Sequence, residues 1–199
     1  MSRLRRAARP VAALSLVLVL AACGSSDGSG AGTHQGDSSS SSSSVSAARS
    51  GDIMFAQMMI PHHEQAVEMA EVALAKDGVS EQVKALATNI KGAQGPEIQT
   101  MTAWLKQWNA SPLASGNTDH GGGHGTGMMS EQDMGSLSAA EGAEFDRQWL
   151  TMMIEHHEGA IEMADNVLAT TSDAQVKALA EAIISGQEAE ITTMKGLLS

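Results

Sequence analysis

One heptapeptide occurs twice in this chain, and it combines two side chains that bind soft metal ions. The first copy reads MMIPHHE at residues 58–64, and the second reads MMIEHHE at residues 152–158. Imidazole and thioether together favour copper, Cu(I) above all, whereas imidazole alone also accepts Cu(II) or zinc. The repeated motif therefore predicts a metal site, with copper as the first candidate and zinc or iron as alternatives.

Both copies continue in the same helical pattern, so the candidate ligands form two matched sets. At about 100° of rotation per residue, the nearby methionines fall within roughly 60° of His62, while His63 lies about 100° further round the helix. The candidate metal ligands are Met58, Met59, His62, His63, Met69, Met152, Met153, His156, His157 and Met163.

Apolar periodicity predicts the helices that carry these ligands. Residues 52–77 and 139–169 each have two neighbouring apolar tracks, with one histidine of the motif on each track. Residues 80–109 and 173–198 form the partner helices, and the second pair repeats the first at an offset of 93–94 residues. Neither hairpin can bury its stripe alone, so we expect an all-α four-helix bundle built from two duplicated hairpins. Pro61 should kink the first helix, and Glu155 at the matching position should leave the third helix straighter.

Polar residues on the partner helices should lie at the height of the histidines. His62 is 16 residues before Gly78, and Gln94 is 16 residues after it. In the second hairpin, His156 and Gln187 lie 16 and 15 residues from Ser172. In an antiparallel hairpin, residues equally far from the turn are level. The residues expected to orient the ligand histidines are Gln94, Glu97, Gln187 and Glu190.

Two other interpretations of this polar layer stay open. Buried histidines that hydrogen-bond buried carboxylates can hold packing register without any metal, which would make the protein a surface structural or interaction module. A ferritin-like di-metal oxidase could use Glu97 and Glu190, but neither motif contains the Glu-x-x-His spacing of a di-iron site. No activated nucleophile or phosphate loop is visible. The sequence therefore favours a binding protein over an enzyme, with redox chemistry at a bound metal left open.

The first 22 residues have the pattern of an export signal. Four arginines precede an apolar run at residues 11–20, and small residues then lead to Cys23, the only cysteine. This pattern predicts a bacterial lipoprotein signal, residues 1–22, with Cys23 lipidated; the alternative is an ordinary signal peptide. Residues 23–50 are rich in glycine and serine and predict a flexible tether. The protein should then be anchored to the outer face of the cell membrane, or be periplasmic, as a lipoprotein.

The net charge limits the kinds of partner that the protein can bind. Four of the 12 basic residues lie in the leader, which leaves 8 against 23 acidic residues, a net charge of −15. Such a chain repels nucleic acid and attracts cations. A homo-oligomer stays open.

The connection between the hairpins is a second candidate metal segment. Residues 111–137 are rich in glycine and show no clear helical or strand period. The auxiliary candidates in this linker are His120, His124, Met128 and Met129. The alternative is a spacer whose histidines are incidental, since ordering a disordered chelator costs conformational entropy.

These residues resemble the bacterial domain of unknown function 305 family. The resemblance rests on the segment 58–63 with Ala66, Met69 and Ala70, on its second copy, and on the pattern Gln94, Glu97, Met101. It covers residues 51–199 and implies an exported, ferritin-like four-helix protein rich in histidine and methionine, some members being associated with copper binding and tolerance. The second copy departs from the family pattern at Glu155, where proline is common.

Together these patterns predict a membrane-tethered, extracytoplasmic metal-binding protein. Copper is the most favoured ion, and its sequestration, its delivery or copper tolerance is the expected role.

Overall fold

A computed structural model describes residues 39–113 and 127–199, which belong to one compact unit. The export signal with Cys23, most of the tether, and the linker histidines His120 and His124 lie outside the described residues. The described part forms five helices, which are α1 (Ser39–Ala75), α2 (Glu81–Gln107), α3 (Glu131–Ala139), α4 (Gly142–Leu168) and α5 (Ala174–Leu198). None of the helices among these residues is long and apolar enough to cross a membrane.

The four long helices form two hairpins. Helix α1 packs along α2, α4 packs along α5, and the two hairpins meet mainly through α1 and α4. Each second helix begins at a side-chain cap: Ser80 Oγ accepts from the Val83 amide at 3.3 Å, and Asp173 Oδ1 accepts from the Gln175 amide at 2.9 Å. The fold is therefore the all-helical pair of duplicated hairpins that the periodicity predicts.

The core consists of two apolar clusters at opposite ends of the bundle. The Trp149 cluster joins residues 66–73 of α1 to residues 145–154 of α4, and the Phe55 cluster joins residues 55–60 of α1 to residues 160–167 of α4. The early half of each helix thus meets the late half of the other, so α1 and α4 run antiparallel. Duplicated positions lie in opposite clusters, as Met59 and Met153 do, which relates the hairpins by an approximate two-fold axis.

Helix α1 begins earlier than the predicted tether boundary. It starts at Ser39 rather than near residue 51, because no glycine or proline interrupts residues 39–50. Extending an existing helix costs much less than nucleating one. The helix also continues through Pro61.

Helix α3 begins within residues 111–137, which were predicted to be a linker without secondary structure. Ser130 Oγ accepts from the Asp133 amide at 3.2 Å, and Asp133 accepts from the Ser130 amide at 3.0 Å. This reciprocal capping box was the available signal for the helix. The expectation of one helix from Ala139 was wrong, because the chain is extended at Ala140 and α4 begins only at Gly142, where φ is 54°.

The end of the linker is fixed to α1 and α4. Gln65 Nε2 donates to the Met129 carbonyl at 2.8 Å, and the Met129 amide donates back to Gln65 Oε1 at 2.7 Å. Gly127 has a φ of 70°, and a β-carbon there would lie 3.0 Å from His156 Cα and closer still to the Glu155 carbonyl oxygen. Only glycine allows the chain to approach α4 this closely.

Replacing Gly127 with alanine should therefore destabilise the fold. The left-handed backbone and the collision with the α4 backbone together should cost about 1–3 kcal/mol in free energy of unfolding, measured by urea denaturation. Gly135→Ala is the matched control, because an added β-carbon there meets nothing within 4 Å inside α3. It should be neutral or stabilise by about 0.5–1 kcal/mol. Equal effects of the two substitutions would contradict the close approach at Gly127.

Candidate metal centre

Four buried histidines lie between the two apolar clusters. Their side chains are at most 1% exposed. The ring centroids of His62 and His63 are 6.5 Å apart, those of His62 and His156 are 3.7 Å apart, and those of His156 and His157 are 6.4 Å apart. The two motifs thus meet through His62 and His156, one from each hairpin, and form a single histidine layer.

Each outer histidine is held by a glutamate of its own hairpin. His63 Nε2 lies 2.8 Å from Glu97 Oε2, and His157 Nε2 lies 2.7 Å from Glu190 Oε2. In the neutral tautomer that donates its Nε2–H to the carboxylate, Nδ1 keeps its lone pair. The sequence predicts these glutamates near the level of the histidines, and in the structure each one contacts a histidine of its own hairpin. Whether they orient metal ligands stays a prediction.

Several buried polar atoms of this layer have no hydrogen-bond partner within the described part of the chain. They are Nδ1 of His63 and His157, both amide atoms of Gln94, and Oε1 of Gln187. Buried polar atoms are usually paired, because leaving them unpaired costs free energy. A metal ion is a partner that neutral imidazole nitrogens can bind directly. The donors present therefore fit an imidazole-binding metal.

The pKa of His156 reinforces this chemistry. Burial lowers it well below its ordinary value, and the neighbouring His62, His157 and His63 lower it further by repulsion. A histidine that stays neutral keeps the lone pair that a metal requires.

The candidate methionines separate into two groups. Met59, Met69 and Met153 are fully buried in the apolar clusters on either side of the histidine layer. By contrast, Met152 and Met163 are partly buried, and Met58 is 36% exposed. Helical angles alone could not distinguish these groups, since they do not state what packs outside a helix.

The linker methionines lie near the layer. Met129 packs against the Trp149 cluster and its backbone binds Gln65, one turn beyond His62. Met128 is partly buried beside it. The contact of Gly127 with the His156 backbone was missed from sequence, which offers no signal for it beyond the glycine itself.

Among residues 39–113 and 127–199, no three side chains of His, Cys, Asp or Glu are close enough to hold a metal ion by themselves. A metal in the histidine layer must therefore use a histidine pair, with thioether sulfur or a modest rearrangement completing the set. That requirement favours a soft ion over zinc or iron.

Comparison with known proteins identifies related chains. The family described as Domain of unknown function (DUF305) matches residues 52–198. A DUF305 fragment from Deinococcus radiodurans has 32% identity and a TM-score of 0.67, over 74% of this chain and 95% of that one. CopM in its Cu(II)-bound form has 37% identity and a TM-score of 0.64, over 74% of this chain and 95% of CopM. A protein of Streptomyces coelicolor, provisionally named a secreted DUF305 protein, has 32% identity and a TM-score of 0.66, over 74% and 91% of the two chains. A search of curated proteins gives no significant match.

Stability of the metal-free protein should fall as the pH is lowered. Unfolded histidine takes up a proton below about pH 6.5, whereas folded His156 does not, so the unfolded state binds more protons below that pH. This residue should contribute up to about 1.4 kcal/mol of lost stability per pH unit. Urea denaturation from pH 7.5 to pH 5 would measure the slope. His156→Gln, which cannot titrate, should flatten it, and an unchanged slope in that variant would contradict the assignment.

Proposed function

The chain belongs to the DUF305 family, and on that premise we propose that it is an extracytoplasmic copper-binding protein that holds the ion in the histidine layer. Its role would be to sequester copper or to deliver it. The observation that carries the proposal is the contact between His62 and His156, whose ring centroids lie 3.7 Å apart between two apolar clusters.

The donor set supports copper over harder ions. The buried histidines lie between two clusters that contain buried methionines, and imidazole with thioether is the combination that favours Cu(I). CopM, which shares the fold at 35–37% identity, has been solved in Cu(II)-, Cu(I)- and Ag-bound forms. A di-metal oxidase is less well supported, because Glu97 and Glu190 lie in different hairpins and each binds the outer histidine of its own hairpin.

Different residues of the layer would have different roles in binding the ion. His62 and His156 supply the central imidazoles, and Met59, Met69 and Met153 supply sulfur from the flanking clusters. Glu97 and Glu190 hold the outer rings so that Nδ1 of His63 and His157 faces away from the carboxylate. A bound ion would be kept from bulk water, which suits sequestration.

Export is supported by the leader and by one relative. Arginines, an apolar run and small residues before Cys23 have the pattern of a lipoprotein signal. The Streptomyces coelicolor relative is itself provisionally named as secreted. We infer that lipidated Cys23 anchors the bundle to the outer face of the membrane.

Replacing the central pair should abolish tight copper binding. The double variant His62→Leu, His156→Leu keeps apolar volume in the layer but removes both imidazoles. Wild-type protein should bind Cu(I) more tightly than about 1 µM in competition with a chromophoric chelator. The double variant should bind at least about 100-fold more weakly.

Glu158→Gln is the matched control, since Glu158 adjoins His157 but is exposed and pairs with Lys195 at 3.1 Å. It should leave copper affinity unchanged. If the double variant keeps wild-type affinity, or if saturating copper leaves the melting temperature of wild-type protein unchanged, the layer serves packing only. Iron in protein purified without added metal, with oxygen consumption, would instead indicate an oxidase.

Removing one carboxylate should lower the affinity for copper without abolishing copper binding. Glu97→Gln loses the charged acceptor for His63 Nε2–H, and such changes around metal ligands typically cost about 10–100-fold in affinity. Glu71→Gln is the control, because Glu71 joins the same two helices through an exposed ion pair with Lys91. Equal Cu(I) affinities of the two variants would argue against an orienting role for Glu97.

A further inference from the structure

The approximate two-fold axis relates two stretches of the α1–α4 seam, and within residues 39–113 and 127–199 the helix α3 covers one of them. At the Trp149 cluster, α3 lies against the bundle with Leu137 fully buried, and Lys76 Nζ donates to the Ser138 carbonyl at 2.7 Å. At the Phe55 cluster, the corresponding surface is an open groove of about 270 Å³. The groove is lined by Gly51, Met54, Phe55, Met58, Met163, Asn166, Val167 and Thr170.

Three methionines from two helices line this open groove. Met54 and Met58 are one helical turn apart on α1 and are 59% and 36% exposed, while Met163 enters from α4 and is partly buried. Leaving large apolar side chains in water forgoes the stabilisation that burial would supply. Core packing therefore does not explain the placement of Met54 and Met58, whereas Met163 also packs against the Phe55 cluster.

The stretch of the seam beneath α3 does not repeat these three methionines. The positions that match Met54 and Met58 are Gln148 and Met152, which lie beside α3. The position that matches Met163 is Met69, which is fully buried. The three thioethers thus share one accessible wall at only one end of the bundle.

We propose that the open groove binds one soft monovalent cation, Cu(I) or Ag(I), through the thioethers of Met54, Met58 and Met163. Thioether sulfur selects soft ions and needs no deprotonation. Methionine has three rotatable bonds, so the three sulfurs can converge on an ion from these positions. The groove lining contains no carboxylate, histidine or cysteine that would favour zinc or a hard cation.

This site is separate from the histidine layer. The groove is open to solvent, whereas the histidines of the layer are buried. It rests on the proposed function only for its biological use, as the place where the protein first captures the ion. The acidic chain, at −15 without its leader, would raise the cation concentration near it.

Silver titration of the full chain tests the site directly. Methionine labelled with ¹³C at the ε-methyl gives one NMR signal per residue, and Ag(I) is redox-inert. The signals of Met54, Met58 and Met163 should shift together at low micromolar Ag(I). They should do so equally in the His62→Leu, His156→Leu variant, so failure of the histidine site leaves this result standing. Shifts that appear only at millimolar silver, or only in buried methionines, would overturn the proposal.

A matched pair of variants tests the ligands. Met54→Leu with Met58→Leu keeps the apolar groove but removes two sulfurs, and it should lose one equivalent of bound Ag(I) by calorimetry. Met134→Leu, on α3 against the Trp149 cluster, should keep every equivalent. Unchanged silver stoichiometry in the double variant would overturn the proposal and leave the groove as an apolar surface.

Discussion

The structure depends on how four histidines are kept in an apolar interior. Two of them, His63 and His157, give one ring nitrogen to a glutamate that the partner helix of the same hairpin brings to their level. The central pair meets across the hairpins, with ring centroids 3.7 Å apart. Burial in this layer holds the pKa of His156 well below its ordinary value, which keeps its imidazole in the neutral form that binds a metal. Stability and binding are therefore coupled at the same residues.

The sequence pattern was sufficient to predict the two hairpins and the level at which the glutamates lie. Counting residues from Gly78 placed Gln94 level with His62 and Glu97 within about one turn of that level, because rise per residue is constant in a helix. The same counting could not place α3 or separate buried Met59 from exposed Met58. Those depend on what packs against a helix from outside, which neither period nor propensity encodes. Gly127 is a further case, since its role follows from the backbone of α4 rather than from its neighbours in sequence.

The two halves of the duplication have diverged where they face solvent and kept their pattern where they face each other. The histidine–glutamate pairs differ by only 0.1 Å between hairpins. By contrast, Pro61 matches Glu155, Met54 matches Gln148, and only one seam carries α3. The interior is constrained by a shared layer, whereas each outer seam needs only to be compatible with its own covering. This division lets one end of the bundle stay open while the other is closed.

The contact between His62 and His156 also bears on the origin of the chain. Residues that meet on an approximate two-fold axis are those that would meet if a single hairpin paired with an identical copy, as in an isologous dimer. Joining two such copies in one polypeptide makes the central layer independent of protein concentration. It also allows each copy to mutate separately, which no symmetric dimer can do. One linker joins the two hairpins and cannot obey the two-fold axis, so α3, which begins within it, lies at one seam of the bundle.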